Sequence, residues 1–418
     1  MKSAKSFLKL IILCFMITSC KDDNGAFLYE DASKNQDAID KNKSNIHPIK
    51  IPEQLKNELI VEFTDTTTEA DQNALRQKYN VIDYKACSCN NKRVQKWVFD
   101  QNSYTEGRKD DIAQEGGVEG TDYQFYYYNE NITPNLIATN QPVGLINSSI
   151  RPVNDINPVT IAIIDTGIDL NMLQNTQPFL YNNGSHGSSC NTNYEVSGWD
   201  FVNHDNNMFD DNGHGTIVAD IIMKKLKDNN INDYQILAIK AFDKDGAGTT
   251  FDILCSYLYA VSKPEVSVIN MSFGWYQYPS DLLSKFIDAN TNILHLTSAG
   301  NSDNDNDNLD HFPSSIYHNN VLSIGSYHEH NDHFKKSNFS NYGILSVDFL
   351  SKGEKVSFYN HTVEGTSFAT PFVAVKAMKY YMQGYRTPQQ IIDQLRINAY
   401  ILNNENLLSV YFKDRVIK

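Results

Sequence analysis

Gly365-Thr366-Ser367-Phe368-Ala369-Thr370-Pro371 is the stretch on which the reading of this chain turns. A glycine turn leads into a hydroxyl residue, and Phe372, Val373, Val375, Ala377 and Met378 follow at the spacing of a helix's buried face. Ser367 is thereby placed at a helix N-terminus, where backbone N–H groups and the positive end of the dipole can face a developing negative charge. Pro371 falls one turn in, where a missing N–H is expected to cost little. Alone, the pattern fits an ordinary serine cap equally well.

A nucleophilic serine needs a base to take its proton and a carboxylate to orient that base. Upstream, Ile161-Ala162-Ile163-Ile164-Asp165-Thr166-Gly167 reads as a buried strand that stops at a carboxylate. Asp211-Asn212-Gly213-His214-Gly215-Thr216 sets a histidine between two glycines, with Ile217, Val218, Ala219 and Ile221 following at helical spacing. The order Asp165, His214, Ser367 in these settings resembles the subtilisin-like serine proteases (subtilases), over residues 159–399.

The resemblance implies that Ser367 attacks the scissile carbonyl, His214 relays its proton and Asp165 holds His214. Thr297-Ser298-Ala299-Gly300-Asn301 resembles the family's oxyanion segment, so that Asn301 and the Ser367 N–H would bind the tetrahedral intermediate. Asn270-Met271-Ser272-Phe273-Gly274 resembles the substrate-binding edge, with Ser272, Phe273 and Gly274 as one wall of the primary pocket and Ser298, Ala299 and Gly300 as the other. Small residues on these walls lean toward an apolar or aromatic side chain before the cut. The family's usual continuations are altered at Ile217-Val218-Ala219-Asp220, at Ser351-Lys352-Gly353 and at Phe372, none of which removes a catalytic atom.

Other hydrolase patterns fit less well. The chain lacks a second Asp-Thr/Ser-Gly for an aspartic dyad, Gly-Thr-Ser-Phe-Ala is not Gly-x-Ser-x-Gly, and no histidine follows Ser367. The rivals kept open are a catalytically silent surface binding protein on this fold, a dedicated peptide maturase or ligase, and a serine-carboxyl variant with glutamate as base.

Strands expected at 159–164, 235–242, 266–271, 292–297 and 321–324 alternate with helices at 216–225, 250–261, 279–289, 366–382 and 388–398. That alternation predicts an α/β fold with a doubly wound, mostly parallel sheet of subtilisin type over 158–418. Ahead of it, residues 56–128 read strand-helix-strand-strand-helix-strand, with a helix at 104–114, the order of a split ferredoxin-like α+β unit. In this position it resembles the family's inhibitory propeptide, an intramolecular partner removed by a cut within 129–157.

Residues 1–19 carry Lys2, Lys5 and Lys9, then an apolar run too short to span a bilayer, and small residues before Cys20. This resembles a bacterial lipoprotein signal, implying export, lipidation of Cys20 and attachment to an outer membrane or cell surface, with release of a secreted mature enzyme as the alternative. Residues 20–55 are polar and aperiodic, a tether. A net charge of −14 over 418 residues offers no basic stripe for nucleic acid, so the expected partners are protein or peptide substrates.

Cys87 and Cys89 are too close to bridge each other and lack a second pair for zinc. Cys190 and Cys255 could pair, or Cys255 could stay a buried thiol. No cofactor is required for the chemistry, and the metal ligands stay unassigned. Structural calcium, frequent in subtilases, would suit Asp205, Asp210 and Asp211 or Asp303, Asp305, Asp307 and Asp310, which also read as solvated acidic loops. His328, Glu329, His330 and His333 form a weaker zinc candidate.

Overall fold

The computed structural model describes residues 46–89, 91–102, 105–128, 158–173, 179–181, 189–190, 193–194, 197–330, 333–401 and 415–418. The expectations for the signal, Cys20, most of the tether and the 129–157 cut lie outside the described residues.

The first unit runs β1 (Glu53–Phe63), α1 (Glu69–Lys78), β2 (Asp83–Ala86), β3 (Val94–Val98), α2 (Arg108–Ala113) and β4 (Val118–Tyr128). Its strands lie in the order β4-β1-β3-β2, every neighbour antiparallel. Alternation along β1 sends Leu59, Val61 and Phe63 to a core with Trp97, Phe99 and Ile112, while Ile60 points into the core of the second unit. Thr68 starts α1 through a capping box with Asp71. Two boundaries differ from expectation. The tether ends earlier, because β1 begins at Glu53, and the helix expected over 104–114 is only Arg108–Ala113, because Gly107 at φ 83° opens it.

The second unit contains β5 (Val159–Asp165), β6 (Ser189–Cys190), β7 (Asn193–Tyr194), β8 (Gly198–Asp200), β9 (Tyr234–Lys240), β10 (Ala247–Thr249), β11 (Val266–Met271), β12 (Trp275–Tyr276), β13 (Leu294–Ser298), β14 (His311–Phe312), β15 (Val321–His330), β16 (His333–Lys336), β17 (Phe349–Lys352), β18 (Val356–Phe358), β19 (His361–Val363), β20 (Tyr400–Ile401) and β21 (Arg415–Ile417). Its helices are α3 (His214–Asp228), α4 (Thr250–Val261), α5 (Asp281–Ala289), α6 (Thr366–Met382) and α7 (Pro388–Ile397). The main sheet has the order β20-β21-β17-β15-β13-β11-β5-β9-β8, and all pairs from β17 to β8 are parallel.

Period-two alternation covers both faces of this sheet. Ile161 and Ile163 pack with Ile217 of α3, Val373 of α6 and Ile391 of α7, whereas Ala162 and Ile164 pack with Leu254 of α4 and Leu283 of α5. The strand order reverses at β5, with β9 and β8 on one side and β11, β13, β15 and β17 on the other. Ligands on such sheets bind beyond the carboxyl ends of the strands at the switch point. Asp165 ends β5 there, and Ser272 follows β11.

The first unit docks on α4 and α5. β4 pairs antiparallel with β10, matching Tyr128 to Ala247 and Tyr126 to Thr249. Gln124 Oε1 accepts the Phe251 N–H at 3.0 Å near the start of α4. Asp122 Oδ2 accepts the Ser280 hydroxyl at 2.6 Å and the Leu282 N–H at 3.3 Å at the start of α5. Tyr127 stacks on Trp275 with centroids 4.2 Å apart.

Two disulfides cross the same boundary, Cys87–Cys255 and Cys89–Cys190. Neither alternative expected for Cys255 holds: it does not pair with Cys190 and is not a free thiol. Cys87 and Cys89 do not bridge each other, but each finds a partner in the other unit, because docking brings the turn after β2 against α4 and β6.

Burial pushes the Asp122 carboxyl up to about 7, against the opposing hydrogen bonds from Ser280 and Leu282. Docking thus favours its neutral form, so its contribution is fullest at acid pH and fades as pH climbs from about 4 through about 7. Burial pushes His204 down to about 4, a contribution of the opposite sense that Asp122→Asn leaves in place. The Asp122→Asn variant is expected to gain more than about tenfold in docking affinity relative to wild type between about pH 5 and about pH 8. Titration calorimetry on cut, reduced protein measures this, and a ratio independent of pH would contradict it.

Candidate active site

Asp165 Oδ1 and His214 Nδ1 lie 2.8 Å apart, with both side chains excluded from solvent. The glycines around His214 make this approach possible. Gly213 opens α3 at φ 109°, and a Cβ on Gly215 would fall 2.3 Å from the Gly167 carbonyl and 3.1 Å from Asp165 Cβ. Gly215 N–H instead donates to Thr166 Oγ1 at 2.9 Å, stitching the helix start to the strand end.

Asp210, which the sequence offers as a calcium ligand, organises the loop before His214. Its Oδ1 accepts the N–H groups of Asn212 and Gly213, and its Oδ2 accepts the N–H and hydroxyl of Thr216. Asp210→Ala strips these buried donors of their acceptor and is expected to cost at least about 3 kcal/mol. Urea unfolding checks this, and a loss below about 1 kcal/mol would contradict it.

Serine or threonine side chains cap α1, α4, α5 and α7, but α2, α3 and α6 start at Gly107, Gly213 and Gly365 without a side-chain cap. The two helices that carry His214 and Ser367 thus keep their first turns for other partners. On α6 the Thr366 N–H donates to Asn301 Oδ1 at 2.8 Å, and the Thr366 hydroxyl donates to the same atom at 3.0 Å. These bonds fix the Asn301 amide with Oδ1 toward Thr366 and Nδ2 turned the opposite way.

Ser367 Oγ donates to the Ser272 carbonyl at 2.8 Å, while Ser272 Oγ donates to the Ser367 carbonyl at 2.9 Å. Pro371 explains the second bond. It is the sixth residue of α6, so its missing N–H removes the normal helical partner of the Ser367 carbonyl. The reason expected for its small cost is therefore corrected: position in the helix does not spare the bond, and the Ser272 hydroxyl replaces the lost donor. The ring of Phe368 packs on His214 with centroids 5.2 Å apart.

The expected pocket walls face each other across His311, a residue the sequence reading passed over. A Cβ on Gly274 would fall 2.1 Å from His311 Cε1, and one on Gly300 would fall 3.0 Å from its Nε2. Ser298 Oγ reaches the Phe273 carbonyl at 3.4 Å, and Ala299 is buried beside them. Burial pushes His311 down to about 3, leaving a neutral ring where small residues alone had suggested open space. The only available signal was an aromatic nitrogen base in the polar run after Asn301.

The acidic loops are largely engaged internally. Asp211 pairs with Lys240 at 2.7 Å, Asp303 with Lys336 at 2.8 Å, and Asp307 accepts the Leu345 N–H and the Ser346 hydroxyl. Among the described residues, no group of three or more His, Cys, Asp or Glu is placed to hold a metal. The side chains of His330 and His333, half of the zinc candidate, lie outside the described residues. At Asp220, one of the altered positions, the carboxylate pairs with Lys224 at 2.6 Å.

Residues 157–407 match the family model described as the Subtilase family. The chain is 31% identical over 238 residues to the thermophilic serine proteinase of Bacillus sp. (strain AK1), covering 54% of this chain and 52% of that protein. It is also 31% identical over 235 residues to thermitase of Thermoactinomyces vulgaris, covering 54% of this chain and 75% of thermitase. The match thus spans about half the length of the Bacillus relative. Among solved structures, fervidolysin of Fervidobacterium pennivorans, a keratinolytic enzyme related to subtilisin, is similar in fold with a TM-score of 0.57 at 15% identity, covering 89% of this chain and 61% of its own.

Proposed function

The chain belongs to the subtilase family, and from that premise we propose that it is an exported serine endopeptidase made as a zymogen. The observation that carries this reading is the buried 2.8 Å bond between Asp165 and His214 at the switch point of the sheet, with Ser367 on the adjoining helix start. Asp165 holds Nδ1 protonated, so Nε2 is the basic nitrogen that takes the Ser367 proton and later delivers it to the leaving amine. The Ser367 N–H and Asn301 Nδ2 are the donors for the oxyanion of the tetrahedral intermediate. An acyl-enzyme on Ser367 forms next, and water hydrolyses it with His214 again as base. The chemistry calls on no cofactor.

A peptide adding as a strand along Ser272, Phe273 and Gly274 would use the Ser272 carbonyl as an acceptor. In this structure the Ser367 hydroxyl occupies that carbonyl, so an arriving strand competes for it and turns the hydroxyl toward His214.

The first unit is read as the inhibitory propeptide. Its four antiparallel strands in the order β4-β1-β3-β2 with two helices support the ferredoxin-like assignment, and its docking beside the pocket wall supports the inhibitory one. Two disulfides suit an oxidising, extracytoplasmic compartment. Among the described residues no helix is long and apolar enough to cross a membrane, and a lipid on Cys20 is the proposed anchor.

A fluorophosphonate probe, which esterifies activated serines, tests the reading on protein that hydrolyses casein. One adduct is expected on Ser367, absent from His214→Ala. Casein hydrolysis with no adduct, or with the adduct on another residue, would contradict it.

A further inference from the structure

Both disulfides join residues on one side of the 129–157 segment to residues on the other. Any single cut within that segment therefore leaves two chains that are still linked twice. We propose that the first unit is a covalently retained inhibitor: the cut does not free the peptidase, and exchange of the two disulfides with a dithiol does. This rests on the reading of Ser367 as a peptidase nucleophile.

The retained unit keeps its own residues at the site whether or not the chain has been cut. The His47 N–H donates to the Asn301 carbonyl at 3.0 Å. Lys50, Ile51 and Pro52 line a small cavity with Tyr128, Gly274 and Trp275, against the edge where a substrate strand would lie. These contacts come from chain upstream of β1, which a cut within 129–157 leaves attached to the first unit. As long as the bridges last, the inhibitory segment is held at an effective concentration in roughly the millimolar range, and loss by dilution is prevented.

The bridges differ in access. Cys87, Cys190 and Cys255 are buried at 6%, 0% and 2% exposure, whereas Cys89 is half-buried. Exchange thus begins at Cys89–Cys190. A thiolate of the dithiol attacks Cys89 Sγ, the S–S bond breaks, and Cys190 leaves as a thiolate that takes up a proton. The second thiol of the reagent then displaces Cys89, giving two protein thiols and one oxidised dithiol. A second dithiol does the same at Cys87–Cys255, so four electrons and four protons pass to the protein in all. The reductant is thereby defined by class, a small dithiol or a dithiol oxidoreductase of the same compartment.

The test uses the full chain with a recognition sequence for a site-specific protease placed within residues 129–157, as wild type and as Ser367→Ala, both cut by that external protease. Dithiothreitol is the probe, added after folding. On non-reducing size-exclusion chromatography at nanomolar concentration, both cut proteins are expected to elute as one linked species, and dithiothreitol is expected to separate the two chains. Hydrolysis of a fluorogenic peptide by the cut wild type is expected to rise more than about tenfold on reduction, with no rise in Ser367→Ala. Separation without reductant, or equal activity before and after reduction, would overturn the proposal. A Cys87→Ser/Cys89→Ser protein should be active after the cut without dithiothreitol; should it not fold, reduction of folded wild type decides alone. Failure of the peptidase reading is seen separately: a cut, reduced and fully separated wild type without activity would overturn both, while an activity rise shared by Ser367→Ala would overturn the nucleophile only.

Discussion

Ser367→Ala is expected to lower kcat for peptide hydrolysis by about 10⁴- to 10⁶-fold, with KM changed little. The size follows from what the hydroxyl does. Without it no acyl-enzyme forms, and only substrate binding and the oxyanion donors remain to act on water. The helix start stays held by Ser272 and Asn301, but the buried bond from the Ser367 hydroxyl to the Ser272 carbonyl is lost, so stability should fall by about 1–2 kcal/mol. Steady-state kinetics beside urea unfolding separates the two effects. Residual activity within about tenfold of wild type would remove Ser367 from the chemistry.

Asn301→Asp is the second large effect, expected at about 10²- to 10³-fold in kcat. That size is carried over from loss of the corresponding donor in subtilisin itself. Aspartate is the informative choice because the Asn301 side chain has two jobs. Its Oδ1 accepts the Thr366 N–H and hydroxyl, and aspartate keeps that acceptor. Its Nδ2 is the proposed oxyanion donor, and aspartate replaces it with an oxygen that repels the developing charge. Asn301→Ala loses both functions and leaves the buried Thr366 N–H without its acceptor, adding about 1–3 kcal/mol of destabilisation. The expected pattern is therefore impaired kcat in both variants and a lowered unfolding midpoint mainly in alanine. Equal kcat in Asn301→Asp and wild type would exclude Asn301 from the oxyanion site.

Much of the scaffold was legible because local periodicity and tertiary burial agree. The helices at 250–261 and 366–382 and the strand at 266–271 fall where apolar spacing places them. Asp165 stood out as a charge ending an apolar run, and β5 does end there. What stayed hidden depends on residues far apart in sequence. The cysteine partners are separated by 168 and 101 residues, and only the docking of two units brings them together. Asp210 read as one acid among several because its bonds to four donors exist only once the loop has folded around it. The carbonyl left without a donor by Pro371 could be counted from sequence, but not its rescue by Ser272, 95 residues upstream.

Intact mass of the full chain over time, recorded after reduction for wild type and Ser367→Ala side by side, tests the central claim most directly. The account predicts that wild type divides once, within residues 129–157, and that the variant stays whole. Both proteins remaining whole, or both dividing alike, would contradict a zymogen that matures through its own Ser367.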